Sequence, residues 1–315
     1  MIRIGIDLGG TNIAVGAVNE RHEIIARCSV PTGAERPAQA VIADMCAAVE
    51  EALRRAGLTA ADCASIGIGS PGTCDPETGV VARAYNLGWK DVPVCRMLTE
   101  HFGLPAHLGN DANCAALAEV VAGAAAGRRD VVLITLGTGV GPDWPGGGII
   151  IGGKIYAGMR GAGAELGHTV LVLDGEPCTC GRRGCWEAYA SATALIRQTH
   201  EAAVQNPQSL LAQVPAEQIN GRTVFDAADR GDAAAQRVID RYCEYIAAGM
   251  TDIVNALAPE MILLGGGVSR QGERLLAPIR EYIATHCFGQ HEGAIPVVAA
   301  AQLGNDAGII GAAAL

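Results

Sequence analysis

The chain has 315 residues, 50% of them hydrophobic and 18% charged, which excludes a disordered or low-complexity protein, and its length fits about two domains. With 33 acidic against 23 basic residues the net charge is −10, which argues against nucleic-acid binding. No apolar run approaches the ~18 residues of a membrane span, and Met1-Ile2-Arg3-Ile4-Gly5-Ile6-Asp7 lacks the apolar region of a secretion signal, so no membrane association and a cytoplasmic location are expected. The eleven Cys are an odd number; eight stand singly in otherwise regular segments, as reduced thiols do, and three cluster at positions 178, 180 and 185. The 42 Gly exceed the usual ~7% and suggest tight turns and close backbone approach to a ligand.

In chain order, Ile2, Ile4 and Ile6 alternate along a strand that turns at Asp7-Leu8-Gly9-Gly10-Thr11-Asn12 and resumes over Ile13 to Val18, a hairpin with a glycine- and hydroxyl-rich turn. A third strand spans Glu23 to Val30. Pro37 opens a helix whose apolar residues Val41, Ile42, Met45, Val49, Ala52 and Leu53 follow helical spacing up to Gly57. Strand Ile66 to Ile68, helix Val94 to Phe102 and strand Ala106 to Leu108 then lead to Asn110-Asp111, a polar pair suited to cap a helix running to about Gly123. A comparable order repeats: strand Val131 to Leu136 enters Thr135-Leu136-Gly137-Thr138-Gly139, strand Gly148 to Ile151 follows, and further on come strand Met261 to Leu264, a helix from about Gln271, strand Ile295 to Ala299 and a last helix from Asn305. An insertion over roughly 153 to 230 carries the cysteine cluster. Two α/β lobes flanking a cleft are expected.

Glycine and threonine turns leaving strands present backbone N–H groups and hydroxyls to phosphate oxygens. Each of the two hairpin turns, alone, equally fits an ordinary hairpin. A third turn, Gly265-Gly266-Gly267, directly follows an apolar strand, and three such loops favour a nucleoside triphosphate, although neither a P-loop nor a Gly-x-Gly-x-x-Gly fingerprint is present. Cys178, Cys180 and Cys185, with His168 upstream, make a Cys₃His set that suits a closed, structural Zn²⁺ site. Glu165, three residues before His168, and Glu187, two after Cys185, would be fixed by such a knot to accept hydrogen bonds from hydroxyls.

Taken together, Asp7-Leu8-Gly9-Gly10-Thr11-Asn12, Leu136-Gly137-Thr138-Gly139, Glu165-Leu166-Gly167-His168 and the Cys178 to Glu187 run resemble the ROK family of sugar kinases and repressors, in order and over nearly the whole chain. Asn86-Leu87-Gly88-Trp89 and Gly109-Asn110-Asp111-Ala112-Asn113 are similar to segments of its bacterial glucokinases. The resemblance implies an actin-like, hexokinase-type (ribonuclease H-like) duplicated α/β fold and usually a homodimer. It implies transfer of the ATP γ-phosphate to the 6-hydroxyl of glucose. Residues 1–120 would form the first lobe with helix 305–315 returning to it, and 121–304 the second, including the zinc-binding segment 165–187.

By the same resemblance Asp111 matches the catalytic base, and Asn86, Asn110, Glu165, His168 and Glu187 match the sugar contacts. Gly9, Gly10, Thr11 and Asn12 match the first phosphate loop, and Thr135, Gly137, Thr138 and Gly139 the second. Asp7 would lie near Mg²⁺, Gly266 and Gly267 near the adenosine, and His168 would bind zinc through one ring nitrogen and sugar through the other. Pro142-Asp143-Trp144-Pro145 departs from the family pattern in the second phosphate hairpin, where an inward fold would obstruct the nucleotide. Two alternatives stay open: a kinase for another hexose or N-acetylhexosamine (N-acetylmannosamine, N-acetylglucosamine, fructose or allose), and a non-catalytic sugar sensor. The family's repressors carry an N-terminal helix-turn-helix, for which the first phosphate loop, starting at residue 7, leaves no room.

Overall fold

The structure, a computed structural model, describes residues 1–137 and 147–315. The first half contains β1 (Ile2–Leu8), β2 (Asn12–Val18), β3 (Ile24–Pro31), α1 (Ala38–Ala56), β4 (Cys63–Ser70), β5 (Thr73–Asp75), β6 (Val80–Ala84), β7 (Trp89–Val92), α2 (Val94–Phe102), β8 (Ala106–Asn110) and α3 (Asp111–Ala122). The second contains β9 (Val131–Thr135), β10 (Gly147–Ile151), β11 (Lys154–Ile155), α4 (Glu187–Ala190), α5 (Ala192–Gln205), α6 (Thr223–Asp229), α7 (Ala233–Leu257), β12 (Met261–Gly265), α8 (Glu273–His286), β13 (Val297–Ala300) and α9 (Ala307–Ala313). One five-stranded sheet has the order β3-β2-β1-β4-β8 and another the order β11-β10-β9-β12-β13. In each, the strands of that sheet, counted in chain order, run third, second, first, fourth, fifth, which is the internal repeat of the actin-like, ribonuclease H-like fold expected from the sequence.

Two compact units divide the chain. Unit 1 comprises Met1–Leu133, Gly147–Ala164 and Ala301–Leu315; unit 2, among the described residues, comprises 134–137 and Glu165–Ala300. A single cut at residue 120 does not describe this division, because the β10-β11 hairpin packs on α3: a Cβ on Gly148 would come 2.4 Å from that of Ala116.

In unit 1, β1 pairs antiparallel with β2 and parallel with β4, and β4 pairs parallel with β8. Helices cover both faces, so the strands are apolar on both sides. On one face Ile4, Ile6, Ile13, Val15, Ile66 and Ile68 meet Val41, Met45 and Val49 of α1 and Val94 and Leu98 of α2. Each such fully buried aliphatic contributes roughly 1.5–3 kcal/mol. On the other face the backbone of α9 lies directly on the sheet, where a Cβ on Gly5 would stand 2.0 Å from the Ile309 carbonyl oxygen and one on Gly67 1.7 Å from that of Ala312. At these two positions glycine serves helix–sheet contact rather than a turn. The buried Glu119 of α3 accepts the N–H groups of Gln302 and Leu303 through one oxygen and that of Ala124 through the other, which fixes the segment leading into α9.

The small antiparallel sheet β5-β6-β7 was not legible in the sequence. Its strands have three to five residues, too few to show a period. It presents Asn86 in the single 3-10 turn that follows β6, closed by Gly88.

Candidate active site and metal centre

In unit 1 the turn between β1 and β2 is closed by a hydrogen bond from the Gly9 N–H to the Asn12 carbonyl at 2.9 Å. Thr32, fully buried just after β3, binds the same turn twice: its N–H donates to the Thr11 carbonyl at 2.8 Å and its hydroxyl to the Gly9 carbonyl at 2.7 Å. Sequence reasoning missed Thr32, although its place beyond the strand paired with the loop was a signal.

Asp7, next to last in β1, lies beside α9, so close that a Cβ on Gly308 would stand 2.3 Å from its Oδ2. Burial raises its pKa to about 6. The sign follows: below about pH 4 the carboxyl is protonated folded and unfolded alike. Between about pH 4 and 6 only the unfolded chain ionises it, so the fold loses stability as pH rises, and above 6 the full cost persists. Asp7→Asn is therefore expected to raise stability to urea at pH 7.5 by roughly 1–3 kcal/mol and to change it little at pH 4. Equal effects at both pH values would contradict this.

Asn110 caps α3, its Oδ1 accepting the N–H groups of Ala112 at 3.0 Å and Asn113 at 3.3 Å, while its Nδ2 donates to the Gly72 carbonyl at 3.2 Å. Gly72 lies against Arg83 and Ala84, two residues before Asn86, so the small sheet ties Asn86 to the head of α3. Asp111 is the first residue of that helix, with Oδ1 accepting the Ala112 N–H at 2.8 Å. Its charge helps to hold the thiols of Cys74 and Cys114 up, after burial, the larger cause in both.

In unit 2 two of the glycine turns meet. The Leu136 N–H donates to the Gly265 carbonyl at 3.0 Å, and Gly266, at φ +86°, comes so near that a Cβ there would lie 2.5 Å from the Leu136 carbonyl oxygen. The Gly137 carbonyl accepts the N–H of Ala192 in the first turn of α5 at 3.0 Å. Thr135, Gly137, Gly266 and Gly267 thus form one neighbourhood; Thr138, Gly139 and the 142–145 segment lie outside the described residues.

The cysteine segment is a hairpin-like loop held by bridges between Val170 and Cys185 and between Pro177 and Arg183. Trp186 anchors it to α7 by donating from its indole N–H to the Tyr245 carbonyl at 2.8 Å and stacking on Gly249, where any side chain would collide with the ring. His168 Nδ1 is 3.7 Å from Cys178 Sγ, Cys180 Sγ is 3.7 Å from Cys185 Sγ, and all four candidate ligand atoms lie within 4.8 Å of one another. A tetrahedral zinc with ~2.3 Å bonds to sulfur and ~2.0–2.1 Å to nitrogen has ligand–ligand edges of about 3.6–3.8 Å, so these residues fit that ion. Burial raises the Cys180 thiol, but the Arg182 N–H and guanidinium and the two neighbouring thiols outweigh it and bring it down to about 7; burial pushes Cys178 up to about 12.

Glu187, 6% exposed, accepts from the Thr179 hydroxyl at 3.3 Å through Oε1, while its buried Oε2 has no partner among the described residues. Burial raises its pKa and the nearby Glu165 adds to the effect; partial desolvation also raises Glu165, although that residue reaches solvent. Unit 2 therefore gathers Glu165 and Glu187 near the cluster of His168, Cys178, Cys180 and Cys185.

The family model described as "ROK family" matches residues 3–315. A glucokinase of Halalkalibacterium halodurans is 38% identical over 98% of this chain and 92% of its own length. The structure of a ROK family glucokinase from Streptomyces griseus in complex with glucose and AMPPNP is 37% identical, with a TM-score of 0.78 over 100% of this chain and 98% of that one. The ROK hexokinase of Thermus thermophilus is 35% identical, with a TM-score of 0.81 over 99% of this chain and 97% of that one.

Proposed function

The chain belongs to the ROK family, and from that premise we propose that it is a glucokinase, transferring the γ-phosphoryl group of ATP to the 6-hydroxyl of glucose to give glucose 6-phosphate and ADP. The reading is carried by end-to-end likeness to glucokinases, one of them holding glucose and AMPPNP. The positions of Asp111 at the head of α3 and of the acceptors beside the cysteine cluster agree with it.

In this reading Asp111 accepts the proton of the attacking hydroxyl. Asn86, Asn110, Glu165, His168 and Glu187 orient the sugar by hydrogen bonds. Gly9, Gly10, Thr11 and Asn12, with Thr135, Gly137, Thr138 and Gly139, bind the phosphates, and Gly266 and Gly267 the adenosine. Asp7 would hold Mg²⁺, which when bound neutralises charge on the phosphates. His168, Cys178, Cys180 and Cys185 would hold a structural Zn²⁺. His168 Nδ1 faces Cys178, and in this reading Nε2 is the nitrogen that contacts the sugar.

We place the enzyme in the cytoplasm as a homodimer. No helix among the described residues is long and apolar enough to cross a membrane, none of the eleven cysteines forms a disulfide, and unit 2 exposes the apolar side chains of Leu173, Val204 and Phe288.

ADP release measured across glucose, mannose, fructose, allose, N-acetylglucosamine and N-acetylmannosamine tests the assignment. Glucose is expected to give the highest kcat/KM. A higher value with another sugar would transfer the assignment to that sugar, and no turnover with any would favour a sugar sensor.

A further inference from the structure

The geometry points to Thr32 as a positioning residue of the first phosphate loop, one that sets the direction of the Gly10 N–H toward the nucleotide; this rests on the kinase reading above. The carbonyl of Gly9 and the N–H of Gly10 belong to one planar trans peptide, so the two groups point in opposite directions. The Thr32 hydroxyl donates to that carbonyl at 2.7 Å, from a side chain with no exposure to solvent. Holding the Gly9 oxygen inward turns the Gly10 N–H outward. No hydrogen bond engages the N–H groups of Gly10 and Thr11 among the described residues, and Gly10 is half-buried while Thr11 is exposed, so these donors are presented as an anion site requires.

The opposite orientation of the same peptide would present a carbonyl oxygen to a phosphate, and glycines at 9 and 10 impose little steric barrier to that rotation. Something outside the turn must therefore select the orientation. Thr32 does so from a fixed position: its own N–H is bound to the Thr11 carbonyl at 2.8 Å, and its carbonyl accepts from Arg36 Nη2 at 2.9 Å, with the same guanidinium paired to Asp44 on α1. The hydroxyl is the part of this brace that a substitution removes without touching the backbone bonds.

Thr32→Val keeps the shape and deletes the donor; Thr32→Ser keeps the donor. In Thr32→Val the KM for ATP is expected to rise about tenfold, the worth of one hydrogen bond, with the Kd for glucose, read from tryptophan fluorescence, within twofold of wild type. In Thr32→Ser the ATP KM is expected to stay within twofold of wild type. An unchanged ATP KM in Thr32→Val, a parallel loss of glucose affinity, or failure of Thr32→Ser to restore the ATP KM would overturn the role of Thr32 while wild-type turnover keeps the kinase reading. Absence of ATP turnover in the wild type would overturn both.

Discussion

Asp111→Ala is expected to lower kcat for glucose by roughly 10²–10⁴-fold, the range a positioned general base supplies, while glucose still binds. The expectation follows from where the carboxylate sits. As the first residue of α3 it extends from the end of a parallel strand of the main sheet, and its backbone is held by the Asn110 cap, which survives the substitution. One of its oxygens is engaged by the Ala112 N–H at 2.8 Å, which restricts the rotation of the carboxylate and favours a defined direction for its other oxygen. Alignment of the sugar and neutralisation of the phosphate charge are supplied by other groups, so the substitution is expected to lower turnover without dismantling the sites for sugar and nucleotide. Asp111→Asn keeps size and hydrogen bonding but cannot take a proton, and it should lose nearly as much. Single-turnover kinetics with calorimetric glucose binding would check this; a kcat in Asp111→Asn within tenfold of wild type would exclude Asp111 as the base.

Removal of the proposed zinc centre is expected to have the next largest effect. Purified protein should contain about one zinc per chain by elemental analysis, and Cys185→Ser should lose it. Cys185 is wholly buried, and a structural zinc site contributes apparent binding energies of about 10–16 kcal/mol that are also folding energy. Without the ion, the 168–187 loop keeps its anchor through Trp186 and its short bridges. The side chain of His168 then loses the tie to the three cysteines that fixes its direction relative to Glu187. Glucose affinity should fall by about 100-fold or more, and the Tm should drop. Cys180→Ser, at an exposed position, supplies a variant better able to fold if Cys185→Ser does not. Zinc-free protein with unchanged glucose affinity and Tm would refute the structural role.

The stretches most readable from sequence were those with local causes. The helix after Pro37 ends at Gly57, whose φ of +69° is the left-handed stop that glycine supplies. Helix Val94–Phe102 has the expected bounds, and Asn110 caps α3. Boundaries drifted where register rather than local pattern decides: β4 runs over Cys63–Ser70, well beyond Ile66 to Ile68, because pairing with β1 and β8 extends it. β13 begins at Val297, two residues after Ile295, where its pairing with Met261 starts.

Sequence by itself determined the kinds of group available: hydroxyl- and glycine-rich turns at strand ends, a Cys₃His set, a polar pair heading a helix and the family those motifs mark. Such features are local, since a turn or a ligand spacing is carried by neighbouring residues. Only the tertiary structure decided which groups meet: that Thr32, more than twenty residues on, braces the first glycine turn, that the Gly266 turn lies against Leu136, and that Glu119 receives the chain on its way into α9. Those contacts join residues distant in sequence, and their partners are selected by strand order and close packing, which no short pattern encodes. The glycine count shows the same division. Its excess was visible from composition, yet the reason for Gly5 and Gly67, a helix backbone lying directly on them, exists only once α9 has returned to the first sheet.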